Sequence, residues 1–365
     1  MGEKEREYVE LAFATNWVAP LGPNVDAFEN QLVEYIGVKG AASLSSGSAA
    51  IHLALLTLGI QERDIVLCQS FTFAASAFPI TYCKAEPVFI DSENDTWNMD
   101  PLLLEEAIND LQKKGKKPAA IIIVHLYGMP AKMDEIMRIS SEYGIPVIED
   151  AAEALGSSYL NKKCGSFGET GILSFNGNKI ITTSGGGALI SNNEKVINKV
   201  RHLSAQAKEP FPYYLHKEIG FNYRMSNICA GIGRGQMEVI NQRVEKRRMV
   251  FERYKLELGD IEGLNFLEEP KGCFSNRWLT TVVLDKKRFG ENRNEKLRIE
   301  LEKQNIESRA LWKPLHQQPV FDYCKSYING ISDNLYDEGL CLPSGSNMND
   351  EIQTRVINEI KKTLI

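Results

Sequence analysis

Asp150 closes Val-Ile-Glu-Asp, an apolar strand signature in which a carboxylate is costly unless a cation meets it. Lys179 ends Ser-Phe-Asn-Gly-Asn-Lys, residues 174–179, and precedes Ile-Ile-Thr-Thr-Ser-Gly-Gly-Gly, residues 180–187. An amine whose pKa is lowered by a dry site or a nearby positive charge condenses with aldehydes. A third segment, Ser-Ser-Gly-Ser-Ala-Ala at 45–50, opens a helical pattern. There the amides of Gly47, Ser48 and Ala49 would point at an anion, and the helix dipole would favour its charge. The hydroxyls of Ser48 and Ser174 add donors, and Phe73, in Phe-Thr-Phe after a strand, is placed to stack on a planar ring. A lysine for an aldehyde, a carboxylate for a pyridinium nitrogen and donors for a phosphate are together what pyridoxal 5′-phosphate needs.

Each residue alone has a plainer reading. Most lysines are solvated, an Asp between strand and helix is a common N-cap, and Ser48 suits the same task. The pairing of Asp150 with Lys179 is what favours a cofactor. Gly185–Gly187 alone reads as a turn, and Gly-Ile-Gly-Arg-Gly at 231–235 lacks the preceding strand of a dinucleotide fingerprint. His52, in a helix, reads as core or cofactor-adjacent and His125 ends a strand, and both fit structural roles, whereas His316, between Pro314 and Pro319 in a polar loop, is the better ligand contact. Phe71 and Phe78 read as core, and the cluster Arg243, Lys246, Arg247, Arg248 as a solvated helix face.

These residues need a sheet with a carboxyl edge where ligands sit. From Gly47 onward, strand-like runs at 65–68, 87–90, 120–124, 147–148 and 172–175 alternate with helical patterns at 101–111 and 132–143. Ile51, Ala54, Leu55 and Leu58 form the apolar stripe of a helix packed on that sheet. The alternation predicts an α/β fold with a mostly parallel sheet covered on both faces. After about Asn241 the texture changes to a charged amphipathic helix at 243–256 and short segments at 278–284 and 331–341. We therefore expect a large domain over 1–240 and a smaller α+β domain over 241–365.

The ordered set Ser-Gly-Ser-Ala-Ala-Ile-His-Leu-Ala-Leu, Pro-Val-Phe-Ile-Asp (87–91), Val-His-Leu-Tyr-Gly (124–128), Ile-Glu-Asp-Ala-Ala (148–152), Ser-Phe-x-x-x-Lys and Gly-Gly-Gly resembles the DegT/DnrJ/EryC/StrS family of sugar aminotransferases. Phe-Asn-Tyr-Arg-Met-Ser-Asn (221–227) and Glu-Ser-Arg-Ala-Leu-Trp-Lys-Pro-Leu-His-Gln-Gln-Pro-Val-Phe (307–321) extend the likeness across nearly the whole chain. The resemblance implies fold-type I architecture and a homodimer with its active site between subunits. It implies that Lys179 carries the cofactor as a Schiff base and moves the proton, that Asp150 binds the ring nitrogen, and that Phe73 stacks on the ring. Gly47, Ser48, Ala49 and Ser174 would bind phosphate with Asn227 of a neighbouring copy, and Tyr223 and His316 would lie near the sugar nucleotide. Glu153, expected beside the 3′-oxygen, stands where the family often has Gln. A glutamate there, with Asn-Gly-Asn-Lys and Asp-Thr-Trp-Asn-Met-Asp (95–100), resembles a subgroup acting on UDP-4-keto-6-deoxy-N-acetylglucosamine, with L-glutamate as donor. A sugar dehydratase on the same fold typically replaces the lysine by histidine, and a non-catalytic regulator would normally carry a basic DNA-binding extension; neither feature is present.

The bulk properties agree. The 365 residues are 43% hydrophobic, enough for a large core, and a net charge of −6 argues against nucleic-acid or anionic-membrane partners. Seven scattered cysteines without a Cys-x-x-Cys pair suggest neither a disulfide framework nor a metal site. The charged start and the lack of a long apolar run lead us to expect a cytoplasmic protein.

Overall fold

The computed structural model describes residues 1–365. Eight strands form the central sheet, in the spatial order Gly40–Leu44, Gly187–Ser191, Thr170–Ser174, Val147–Asp150, Ala120–Val124, Ile65–Gln69, Glu86–Ile90 and Ser326–Tyr327. Only Gly187–Ser191 runs against the others. Successive residues face opposite sides of a strand, so Ala120 and Ile122 enter one apolar cluster with the helix Gly47–Thr57. Ile121 and Ile123 enter a second cluster with the helices Pro101–Lys113 and Met133–Tyr143. Burial on both faces explains why these strands read as continuous apolar runs.

Two strands escape the sequence pattern. Gly40–Leu44 and Gly187–Ser191 are short and rich in Gly, Ala and Ser, without the β-branched enrichment that marks the others. Gly187, expected in a turn, begins a strand instead. A Cβ there would lie 2.4 Å from the Ser46 carbonyl carbon, so only glycine lets this strand pass the start of the helix Gly47–Thr57.

The long helix Ile240–Leu258 leads into a second sheet in which Leu264–Phe266, Thr280–Leu284, Gly339–Leu342 and Arg309–Ala310 pair antiparallel. The helices Arg293–Lys303 and Asp350–Leu364 close its core. The two lobes are stitched together at further points. Ser326–Tyr327 returns to pair with Glu86–Ile90, and Cys273–Phe274 pairs with Ser158–Tyr159. No helix is long and apolar enough to cross a membrane, and all seven cysteines are unpaired.

Candidate active site

A cavity of about 300 Å³ opens at the carboxyl ends of Val147–Asp150 and Thr170–Ser174. It is lined by Gly47, Ser48, Phe73, Asp150, Glu153, Ser174 and Lys179 from the first lobe and by Trp278 and Trp312 from the second.

Asp150 is 5% exposed. Its Oδ2 accepts from the Ser76 hydroxyl at 2.7 Å and its Oδ1 from the Ala152 amide at 3.1 Å, yet no cation of the chain pairs with it. A buried carboxylate without a counter-charge is a strong liability unless a ligand brings one. The Lys179 ammonium lies 3.6 Å from Glu153 Oε1 and 4.2 Å from the Trp278 ring centre. Trp278 is itself fixed by its indole N–H to the Asn178 carbonyl at 2.8 Å. Glu153 Oε2 accepts the Tyr127 amide at 2.7 Å. Burial pushes the Glu153 pKa up and prevails over the opposing pull of Lys179 and the Tyr127 amide.

Tyr127 sits in the left-handed region at φ 54°, a strained conformation for a bulky residue. Three contacts hold it there. Its ring lies nearly parallel to Trp278 and Trp312, at 6.4 and 6.3 Å between centres, and its hydroxyl accepts the Trp312 amide at 2.9 Å. The second lobe thereby buttresses the wall that carries Glu153.

At the other end, Ser46 caps the helix Gly47–Thr57 by accepting the Ala49 amide at 3.0 Å. This corrects two expectations: the cap is Ser46 rather than Ser48, and the Ala49 amide is already spent on it. The amides of Gly47 and Ser48 and the hydroxyls of Ser48 and Ser174 have no partner within the chain. A Cβ on Gly47 would come 3.3 Å from Ser174 Cβ, which keeps these donors close together. Open donors at one end, with an amine and an uncompensated carboxylate elsewhere in the cavity, fit pyridoxal 5′-phosphate. Phe73, 52% exposed, lines the same space with its ring 5.2 Å from Trp312.

Three expected residues lie elsewhere. Asn227 is buried inside its own chain, where Oδ1 accepts the Asn24 and Val25 amides at the start of the helix Pro23–Ile36 and Nδ2 donates to the Trp17 carbonyl. Its Nδ2 has a second N–H that no acceptor within the chain takes up. His316 has both ring nitrogens engaged, one 2.7 Å from the Ser70 hydroxyl and the other 2.9 Å from Asp333. Tyr223 stacks on Phe221 and lies 3.5 Å from His52 Nδ1. Neither lines the cavity. His125, with Glu149 beside Nε2 and the Ala131 amide on Nδ1, is structural.

The sequence reading missed Ser46, Ser76, Tyr127, Trp278 and Trp312. Ser46 was findable as the serine just ahead of the helical stripe. The two tryptophans come from the other lobe; Trp312 lies within the motif at 307–321, but nothing local marks either ring as reaching the cavity.

Comparison with known proteins agrees with this geometry. The model of the DegT/DnrJ/EryC1/StrS aminotransferase family matches residues 1–361. The chain is 54% identical to EpsN of Bacillus subtilis (strain 168) over 98% of its length and 92% of the relative. It is 36% identical to the GDP-perosamine synthase of Escherichia coli O157:H7, covering 95% and 92%. A crystal structure of a DegT DnrJ EryC1 StrS aminotransferase from Brucella abortus superimposes with a TM-score of 0.92 at 30% identity, covering 99% and 95%. By sequence along almost its entire length, and by shape, the chain belongs to the DegT/DnrJ/EryC1/StrS aminotransferase family, whose cofactor is pyridoxal 5′-phosphate.

Proposed function

We propose that this enzyme moves the amino group of L-glutamate to C4 of UDP-linked 4-keto-6-deoxy-N-acetylglucosamine. The observation that carries the reading is the meeting of Lys179, the uncompensated carboxylate of Asp150 and the open amides of Gly47 and Ser48 in one cavity. Bound pyridoxal phosphate supplies an aldehyde for amine exchange and a ring that withdraws electron density. In this reading Asp150 holds the proton of the ring nitrogen, Lys179 carries the proton from the donor's α-carbon, and Phe73 covers the ring. Gly47 and Ser48 amides with the Ser48 and Ser174 hydroxyls hold the phosphate. Glu153, beside Lys179 and raised in pKa by burial, is suited to share a proton with the 3′-oxygen.

Glu153 and the segments 95–100 and 176–179 support the UDP-linked acceptor. The similarity to a GDP-perosamine synthase favours a GDP-linked sugar as the second reading. A homodimer is supported by two exposed apolar stretches, Leu11, Phe13, Trp17, Val18 and Leu21 in one and Phe211, Tyr213, Tyr214 and Ile219 in the other. Seven reduced cysteines suit a cytoplasmic enzyme.

The test is transfer of ¹⁵N from labelled L-glutamate to a panel of UDP-, dTDP- and GDP-linked 4-keto-6-deoxy sugars. Label at C4 of the UDP sugar supports the proposal. Label only in a GDP sugar replaces it by the second reading, and label in no sugar overturns both.

A further inference from the structure

The basic cluster on the helix Ile240–Leu258 is not a uniformly solvated face. Lys246 is exposed and Arg248 pairs with Glu269, but Arg243 and Arg247, one turn apart, both line a cleft of about 700 Å³ between the lobes. The cleft shares Asn178, Lys179, Trp278 and Trp312 with the cofactor cavity. Its lining is cationic in a chain of net charge −6: four arginines share a single acid, Glu307, which Arg309 already occupies, while Lys179 in the wall is paired with Glu153.

Several donors in this cleft lack partners. Arg247 is 8% exposed; its Nη1 donates to the Trp278 and Ser344 carbonyls, while its Nε has no acceptor. Ser308 Oγ and Trp312 Nε1 are likewise buried and unpaired. The Arg243 guanidinium makes no ion pair or hydrogen bond within the chain, and its partial burial keeps it from being a fully solvated charge. The unpaired atoms of Arg247, Ser308 and Trp312 are sealed from the cleft, so Arg243 is the side chain whose open donors a ligand there would meet.

We infer that this cleft receives the carboxylate end of the amino-acid donor and that Arg243 is the residue that recognises it. The inference rests on the amino-transfer reading above. A planar guanidinium matches a carboxylate in two-point contact. The donor's α-carboxylate is one bond from the carbon that Lys179 must deprotonate, and Lys179 forms part of the cleft wall. The diphosphate of a nucleotide sugar is separated from its reacting carbon by much of the sugar ring, so it suits this position less well.

The experiment is calorimetric titration of the cofactor-loaded protein with glutarate, a dicarboxylate that has no amine to react. Wild type should bind glutarate, and Arg243→Gln should weaken binding roughly 10-fold or more. Arg243→Lys should recover part of the loss, Lys246→Gln should leave binding unchanged, and UDP should not displace glutarate. Thermal melts of each variant check the fold. Absence of glutarate binding in wild type, wild-type affinity in Arg243→Gln, or displacement by UDP would each overturn the assignment. Selective loss of binding in Arg243→Gln, together with failure of wild type to aminate any sugar, would uphold the cleft and overturn the proposed reaction instead.

Discussion

Glu149 and Asp150 are neighbours on one strand, both buried, and they face opposite sides of the sheet. Glu149 is saturated. Its carboxylate lies 3.0 Å from His125 Nε2 and accepts the amides of Gly165, Phe167 and Gly168. Asp150 has a hydroxyl and an amide and no cation. The first is a fastener that ties the loop at 165–168 to the sheet, and the second is, in the proposed function, the receptor for the cofactor's ring nitrogen. What separates structure from function here is therefore the number of donors left unfilled, not burial or residue type.

The largest expected effects lie on the receptor side. Lys179→Ala should abolish turnover, and Asp150→Asn should slow it by roughly 10²- to 10³-fold, since a desolvated charge contact is lost. The same Asp150→Asn change should raise the melting temperature of cofactor-free protein, because an uncompensated buried charge disappears. Wild-type turnover with unchanged melting would break the contrast. On the fastener side, Glu149→Gln should cost about 2 to 4 kcal/mol of stability, as bonds to a charged acceptor weaken. Denaturant titration checks this, and turnover per folded molecule should hold near wild type.

Glu153 sharpens the comparison through pH. Its folded pKa is raised by burial above the unfolded value of about 4.3. The stability tied to its proton is thus complete below that value and is lost as pH climbs through the raised one. Subtracting the melting profile of Glu153→Gln from that of wild type should reveal this slope, and a flat difference would contradict it. The smallest effect belongs to Glu269. Burial opposes its ionisation, but Arg248, the Ser275 amide and Arg277 together hold its pKa below the ordinary range. Its contribution is present above about pH 4.3 and fades as pH falls through the depressed value. Acid unfolding of Glu269→Gln should be slightly less steep than that of wild type.

Much of this site was legible in the chain because its parts are local. A carboxylate at the end of an apolar strand, and a small-residue helix start, announce themselves by cost and by spacing. Ser46 was displaced from Ser48 by two residues because the apolar stripe marks a helix face and not its first turn. Asn227 and His316 were marked by their surrounding motifs, yet whether a side chain is free depends on Asn24, Val25, Ser70 and Asp333, which arrive from distant segments. Trp278 and Trp312 reach the cavity only because the second lobe folds back on the first, and no periodicity encodes that approach.

The central claim is that Lys179 is the residue that holds the cofactor. Borohydride reduction of the cofactor-loaded protein, followed by peptide mapping, tests it directly. A pyridoxyl-phosphate mass increment confined to Lys179 is the expected result. An increment on another lysine, or none on any, would contradict it.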